Sequence, residues 1–296
     1  MAVVTGANQL IEQQLVSQLT KIEAILKGDC IAYVGPIAFG ADNKIRDAVE
    51  ALRQQRGRKR KLILILETNG GYAEVARRIS DAVRHKYREV AYVIPSHAMS
   101  AGTILAMSGD EIWMDYYSVL GPIDPQVPSQ DGRSLVPALG YLVRYEELLA
   151  KASAGKANAA ELQILLSFDQ GELYSYRQAR DLSVSLLREW LVKYKFKNWR
   201  VTQKRRRKVT GRMKRQRAVE IANKLNDIKR WNSHGIGINM VLLKKELNLR
   251  IDDFGIRPAL NDAVREYHRL LADYMGKMGH ESVIHCRLDF EPLRWR

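Results

Sequence analysis

Cysteine is nearly absent from this 296-residue chain: Cys30 and Cys286 stand at opposite ends and form no metal-binding or redox spacing. That excludes a disulfide framework, offers no zinc or other metal site, and sets a reducing, cytoplasmic compartment as the expectation. Lysine and arginine are missing from the first twenty residues, where Leu10, Ile11, Leu15 and Leu19 recur at helical spacing without a contiguous apolar run. A signal peptide has the opposite pattern. Formal charge is missing from Val90 to Gly109, a stretch as long as a membrane span. Pro95, Ser96, His97, Ser100, Thr103 and Ser108 interrupt it, so it is read as buried in protein, and no membrane span is expected. What remains, 46% hydrophobic and 27% charged residues, is ordinary globular usage and excludes collagenous or wholly disordered chains.

Acidic residues are missing from one place in particular. Between Lys193 and Arg217 there are thirteen basic side chains and no acid, so this segment carries nearly all of the net charge of +15. The body of the protein is close to neutral, and any account of the basicity concerns that segment alone. Its aromatics, Tyr194, Phe196 and Trp199, interleave with the charge as they do on surfaces that stack bases and pair phosphates. The competing reading makes those rings the buried stripe of a helix end and the charge a solvated loop.

Periodicity divides the chain. An amphipathic helix over Gln9–Leu26 precedes a strand at Cys30–Val34 and a helix with Ile45, Val49 and Leu52 on one face. Lys61–Glu67 has five consecutive apolar residues, which suits a strand covered on both faces. Further strands are expected around Val90–Ile94 and Glu111–Asp115, separated by helices, so the pairing should be parallel with right-handed crossovers. Beyond Pro125 the pattern turns helical. The expected organisation is an N-terminal helix (1–28), an α/β domain (29–192), the basic segment (193–217) and a small helical C-terminal region (218–296).

Two strand ends carry the chemistry. After the buried strand, Asn69-Gly70-Gly71 lets the backbone turn so that N–H groups face outward at a helix start. One βαβ unit later, His97-Ala-Met-Ser-Ala-Gly-Thr103 puts the Ser100 hydroxyl at the beginning of a helix. In a parallel sheet both loops leave at the same carboxyl edge, where ligands collect. A carbonyl attacked by Ser100 would place its developing oxyanion on the amides of Gly70 or Gly71 and of Ala101. Taken singly, paired glycines are more often a plain turn and a serine at a helix start is more often a cap.

The runs Glu67-Thr-Asn-Gly-Gly71, Ala98-Met-Ser-Ala-Gly-Thr103, Gly109-Asp-Glu-Ile112 and Leu120-Gly-Pro-Ile-Asp-Pro-Gln126 together resemble the serine dehydrogenase proteinase family. That family is related to the signal peptide peptidases and, more distantly, to Clp proteolytic subunits. The resemblance extends through Lys195–Trp199, Trp231–Gly235 and Leu249–Asp253. It implies a Clp/crotonase-like α/β spiral of ββα units with a helical C-terminal extension. It also implies Ser100 as nucleophile, an oxyanion site from Gly70, Gly71 and Ala101, and a homo-oligomer. No dinucleotide-binding glycine fingerprint is present, and no cofactor is expected.

Clp proteases use a histidine where this chain has Asp124, which is expected to position substrate or base or to cap the turn before Pro125. The lysine of the signal peptide peptidase relatives is the better guide. Lys151 is the first candidate for the base and Lys156 the second, with His234 as competitor, while His97 is read as a loop residue. The function expected is peptide hydrolysis through an acyl-enzyme on Ser100. Two alternatives stand beside it. One is a nucleic-acid-binding protein, or one that binds an acidic partner, using Trp199, Arg205, Arg206 and Arg207; the other is a crotonase-like acyl-CoA enzyme.

Overall fold

The computed structural model describes residues 6–55, 59–124, 126–128, 135–202, 206–231 and 236–294. The chain starts with α1 (Ala7–Leu26), β1 (Asp29–Val34) and α2 (Ala41–Gln54), then β2 (Lys61–Glu67), α3 (Ala73–Lys86) and β3 (Glu89–Val93). A short β4 (His97–Ala98) leads into α4 (Ala101–Met107), followed by β5 (Glu111–Met114) and β6 (Val119–Leu120). A hairpin of β7 (Gln126–Pro128) and β8 (Leu135–Pro137) opens the helical stretch α5 (Ala138–Ser153), α6 (Ala159–Leu166) and α7 (Gln170–Trp190). After a π-helical turn at Leu191–Lys195 come α8 (Gly211–Leu225), α9 (Ile228–Trp231), β9 (Ile238–Asn239), α10 (Met240–Leu247) and β10 (Asp252–Asp253). The last elements are α11 (Pro258–Met278), β11 (Ser282–Cys286) and β12 (Asp289–Leu293).

The main sheet runs β10-β5-β3-β2-β1-β11-β12, parallel from β10 to β1. Alternation along its central strands explains the layers. In β2, Leu62, Leu64 and Leu66 point into a core shared with α2, α3, α4 and α7, while Ile63 and Ile65 point into a second core under α1 and α11. β1 splits likewise, with Ile31 and Tyr33 on one side and Cys30 and Ala32 on the other. An unbroken apolar run is what a strand covered on both faces requires. A small second sheet, β4-β6-β9, sits at the carboxyl edge, and α5 packs with the start of α7 around a separate cluster of Leu139, Leu142, Leu173 and Tyr176.

The region 218–296 differs from its helical expectation. β11 pairs antiparallel with β1, with Ile31 opposite Cys286 and Val34 opposite Val283, and β12 folds back on it. Ser282 and His285 in Ser-Val-Ile-His-Cys286 mask the strand pattern locally, yet both are fully buried. The aromatics of the basic segment belong to the core. Arg84 lies 3.8 Å over the Tyr194 ring, Phe196 is buried, and Trp199 meets Phe196 edge-on at 5.6 Å. These rings are therefore turned to packing, not to a base-stacking face.

Lys195 ends the π turn with its stem half-buried and its ammonium enclosed without a hydrogen-bond partner. Burial pulls its pKa from 10.5 to about 8, against the weaker upward pull of Asp252, Glu111 and Asp110. An unfolded lysine keeps its proton to about pH 10.4, so folding expels a proton between the two values and stability rises with pH across that window. Lys195→Met is expected to stabilise the fold by about 3 kcal/mol at pH 7 and by almost nothing near pH 10.5. Urea unfolding at the two pH values measures the difference.

Candidate active site

The turn that carries Ser100 is built by stitching two strand ends together. Thr68, after β2, donates its N–H to the His97 carbonyl at 3.1 Å, and Met99 donates back to the Thr68 carbonyl at 2.9 Å. The chain then reverses at Ser100, whose φ of 46° and ψ of −111° lie outside the regions an L-residue ordinarily occupies. Such a conformation costs on the order of 1–3 kcal/mol and persists only where its surroundings enforce it. Here they do: Thr103 Oγ1 lies within hydrogen-bond distance of the Ala98 and Gly121 carbonyls and accepts the Gly121 N–H at 2.9 Å. That pins the turn on its far side.

Gly70 lies directly against this turn. A Cβ built on it would meet Met99 O and Ser100 Cβ at 2.9 Å and Ala101 N at 3.4 Å, and its φ is +103°. Gly71 is as constrained on the other side, where a Cβ would come within 2.3 Å of the Ile37 carbonyl oxygen. Only glycine lets the two loops approach this closely. The Gly70 N–H is occupied by Thr68 Oγ1 at 3.0 Å, whereas among the described residues the N–H groups of Gly71 and Ala101 have no hydrogen-bond partner. Of the three expected oxyanion donors, the two uncommitted ones are thus Gly71 and Ala101.

Ser100 is buried, and its hydroxyl donates to the Asp124 carbonyl at 3.1 Å. Asp124 is buried too, and its Oδ1 accepts the Leu139 N–H at 3.1 Å near the start of α5. The carboxylate thus ties the loop after β6 to the arm that follows. Lys151 sits in the last turn of α5 with its side chain half exposed, its ammonium 2.6 Å from Glu161 Oε1. Lys156 is exposed beyond the helix end. The fold brings Gly70, Gly71, Ser100, Ala101 and Asp124 together and leaves Lys151 in an ion pair of its own. His234 and Arg205 lie outside the described residues; Arg206 and Arg207 are exposed, Arg206 with φ 48°. The lysine whose pKa burial has lowered into the range of a general base is Lys195, but it stands beside Asp110, Glu111 and Asp252, at the starts of β5 and β10. That is the amino edge of the sheet, opposite Ser100.

Sequence reasoning missed a cluster beside the turn. His97 Nε2 is 3.0 Å from Asn69 Oδ1 and its Nδ1 is 3.0 Å from Ser96 Oγ, while Glu67 is held by His268 of α11 at 2.5 Å. The first pair was signalled only by both residues flanking the two motifs. The second joins positions 201 residues apart and had no local signal.

A strained serine at a strand-to-helix reversal, with uncommitted amides on two adjoining loops, is the architecture of a nucleophilic hydrolase site. Residues 9–144 match the family described as ClpP-like SDH-type serine proteinase. This stretch carries β1 to β5, the glycine turn and Ser100, and it is similar to that family over a little under half of the chain. Two uncharacterised proteins of Methanocaldococcus jannaschii are similar to the chain. One is 31% identical over 144 residues, 47% of this chain and 50% of the relative; the other is 35% identical over 96 residues, 32% and 33%. The chain thus spans half or less of the curated relatives it matches. Among solved structures, a mutant of the 1510-N membrane-bound stomatin-specific protease in complex with a substrate peptide aligns with a TM-score of 0.43 and 14% identity, covering 75% of this chain and 72% of that one. No helix among the described residues is long and apolar enough to cross a membrane.

The strain at Ser100 has a direct test. Ser100→Gly and Ser100→Ala both lose the hydroxyl, but only glycine relaxes at φ 46°. Ser100→Gly is expected to be the more stable of the two by about 1 kcal/mol in thermal unfolding; equal stabilities would mean an unstrained turn.

Proposed function

We propose that the protein is a serine peptidase that hydrolyses peptide bonds through an acyl-enzyme on Ser100. One observation carries the reading: a buried serine held at φ 46° beside two N–H groups, of Gly71 and Ala101, that no recorded hydrogen bond uses. Attack by Ser100 Oγ on a peptide carbonyl forms a tetrahedral adduct whose oxygen these amides receive. Collapse expels the amine, and water then attacks the ester. A carbonyl such as that of Asp124 holds the Ser100 proton at rest but cannot accept it, so turnover needs a base to displace that contact.

For that base we retain a lysine, with Lys151 ahead of Lys156 and His234. Lys151 would have to leave Glu161 on α6, a helix with no buried side chain, while α5 stays packed on the start of α7. Asp124 then orients the arm through Leu139. Assembly into a homo-oligomer and cytoplasmic residence belong to the same proposal, on family resemblance. The aromatics of the basic segment are packed in the core, which weakens the nucleic-acid alternative.

Peptide cleavage and covalent labelling by a serine-directed fluorophosphonate are expected of the wild type. Ser100→Ala should abolish labelling and lower turnover by about 10⁴-fold or more while remaining folded. Continued cleavage by that variant would end the reading. The pH dependence of kcat/KM identifies the base. A lysine tuned by its surroundings gives a rising limb near pH 7–8 that Lys151→Met removes, whereas a limb near 6.5 that His234→Ala removes points to the histidine.

A further inference from the structure

The two amides assigned to the oxyanion belong to different loops, one after β2 and one after β4. An oxyanion site works only if its donors hold their positions before charge develops, and displacements of about 1 Å cost on the order of a hundredfold. The backbone bonds between Thr68 and the 97–99 segment fix the inner ends of the loops. Their outer ends are joined by side chains.

His97 and Asn69 form that outer joint. Asn69 presents Oδ1, which only accepts, so the proton of the His97 ring sits on Nε2 and Nδ1 accepts the Ser96 hydroxyl proton. The ring thus spans 3.0 Å contacts on both sides, with one end on its own loop and the other one residue before Gly70. Behind it stands Glu67, its Oε1 3.9 Å from His97 Nδ1 and its Oε2 on His268. Three residues before His268, Arg265 donates to the Pro95 carbonyl at 2.6 Å and pairs with Asp115. One face of α11 therefore grips the loop ends after β2, β3 and β5, although α11 lies outside the stretch matched by the family.

We propose that His97 is a positioning residue of the oxyanion site. Through Asn69 it sets the Gly70–Gly71 turn against Ser100 and Ala101, and α11 anchors this brace through His268 and Glu67. The inference rests on the peptidase reading. It assigns His97 no contact with substrate and no proton transfer.

The test uses the full chain, an internally quenched peptide that the wild type cleaves, and the corresponding peptide aldehyde, whose hemiacetal oxygen occupies an oxyanion site. His97→Ala and Asn69→Ala are each expected to lower kcat by about 10- to 100-fold, with KM within about threefold. Aldehyde affinity should fall in step with kcat. Because one joint is broken in either case, the double variant should be no worse than the poorer single one. His97→Gln, which can keep a donor to Asn69, should recover most of the rate. The brace is overturned if His97→Ala keeps kcat within twofold of the wild type, if the two losses multiply, or if lost rate merely follows a lowered Tm while aldehyde affinity is kept. A wild type that neither cleaves peptides nor takes the fluorophosphonate at Ser100 overturns the peptidase reading, and the brace with it. Failure of the brace alone leaves cleavage and labelling intact.

Discussion

The contact between Gly70 and the Ser100 turn is the constraint on which the functional architecture depends. Two strand ends approach so closely that a single methyl at position 70 would collide with the Met99 carbonyl and Ser100 Cβ. The approach aligns the free amides of both loops. It also packs Gly70 against a serine held at φ 46°, between the Thr68 bonds on one side and the Thr103 bonds on the other. The strain is thus maintained by packing and ladder bonds formed over the whole width of the sheet.

That width comes from a simple pattern. The central parallel strands β1, β2 and β3, apolar on both faces, need helices on both sides, and α1 and α11 supply one layer while α2, α3, α4 and α7 supply the other. The glycine turn follows β2 and Ser100 follows β4, so their convergence comes from β2 pairing with β3 and from the parallel bridge between Thr68 and Ala98. The helical arm after Asp124 is different in kind. Its small core is separate, and it meets the site through the Asp124 carboxylate and the Leu139 amide.

Much of this was legible in the sequence because it is local. Continuous apolar runs marked β1 and β2, and glycine pairs and a serine after a strand marked the turns. What escaped was set by partners distant in the chain. His285 interrupts the apolar pattern of β11, and what encloses it, the Tyr267 ring of α11, lies 18 residues earlier. The basic run around Lys195 reads as a phosphate-binding surface or a solvated loop, yet the π turn folds one ammonium inward. His97 read as a loop residue because its partner Asn69 lies 28 positions earlier. Lys151 was chosen on spacing, and spacing cannot register that Glu161 lies within reach of the same ammonium.

The pairing of β1 with β11 has a consequence for how the chain acquires its shape. The second strand neighbour of β1 is synthesised some 250 residues after it, and α11, which shares the apolar layer with α1, only slightly earlier. During translation α1 and one flank of β1 therefore stay uncovered until α11 and β11 have been made. Loop closure over such separations is slow, and an open strand flank is a template for wrong partners. The parallel half of the sheet is thus made long before β11, the strand that seals the open flank of β1.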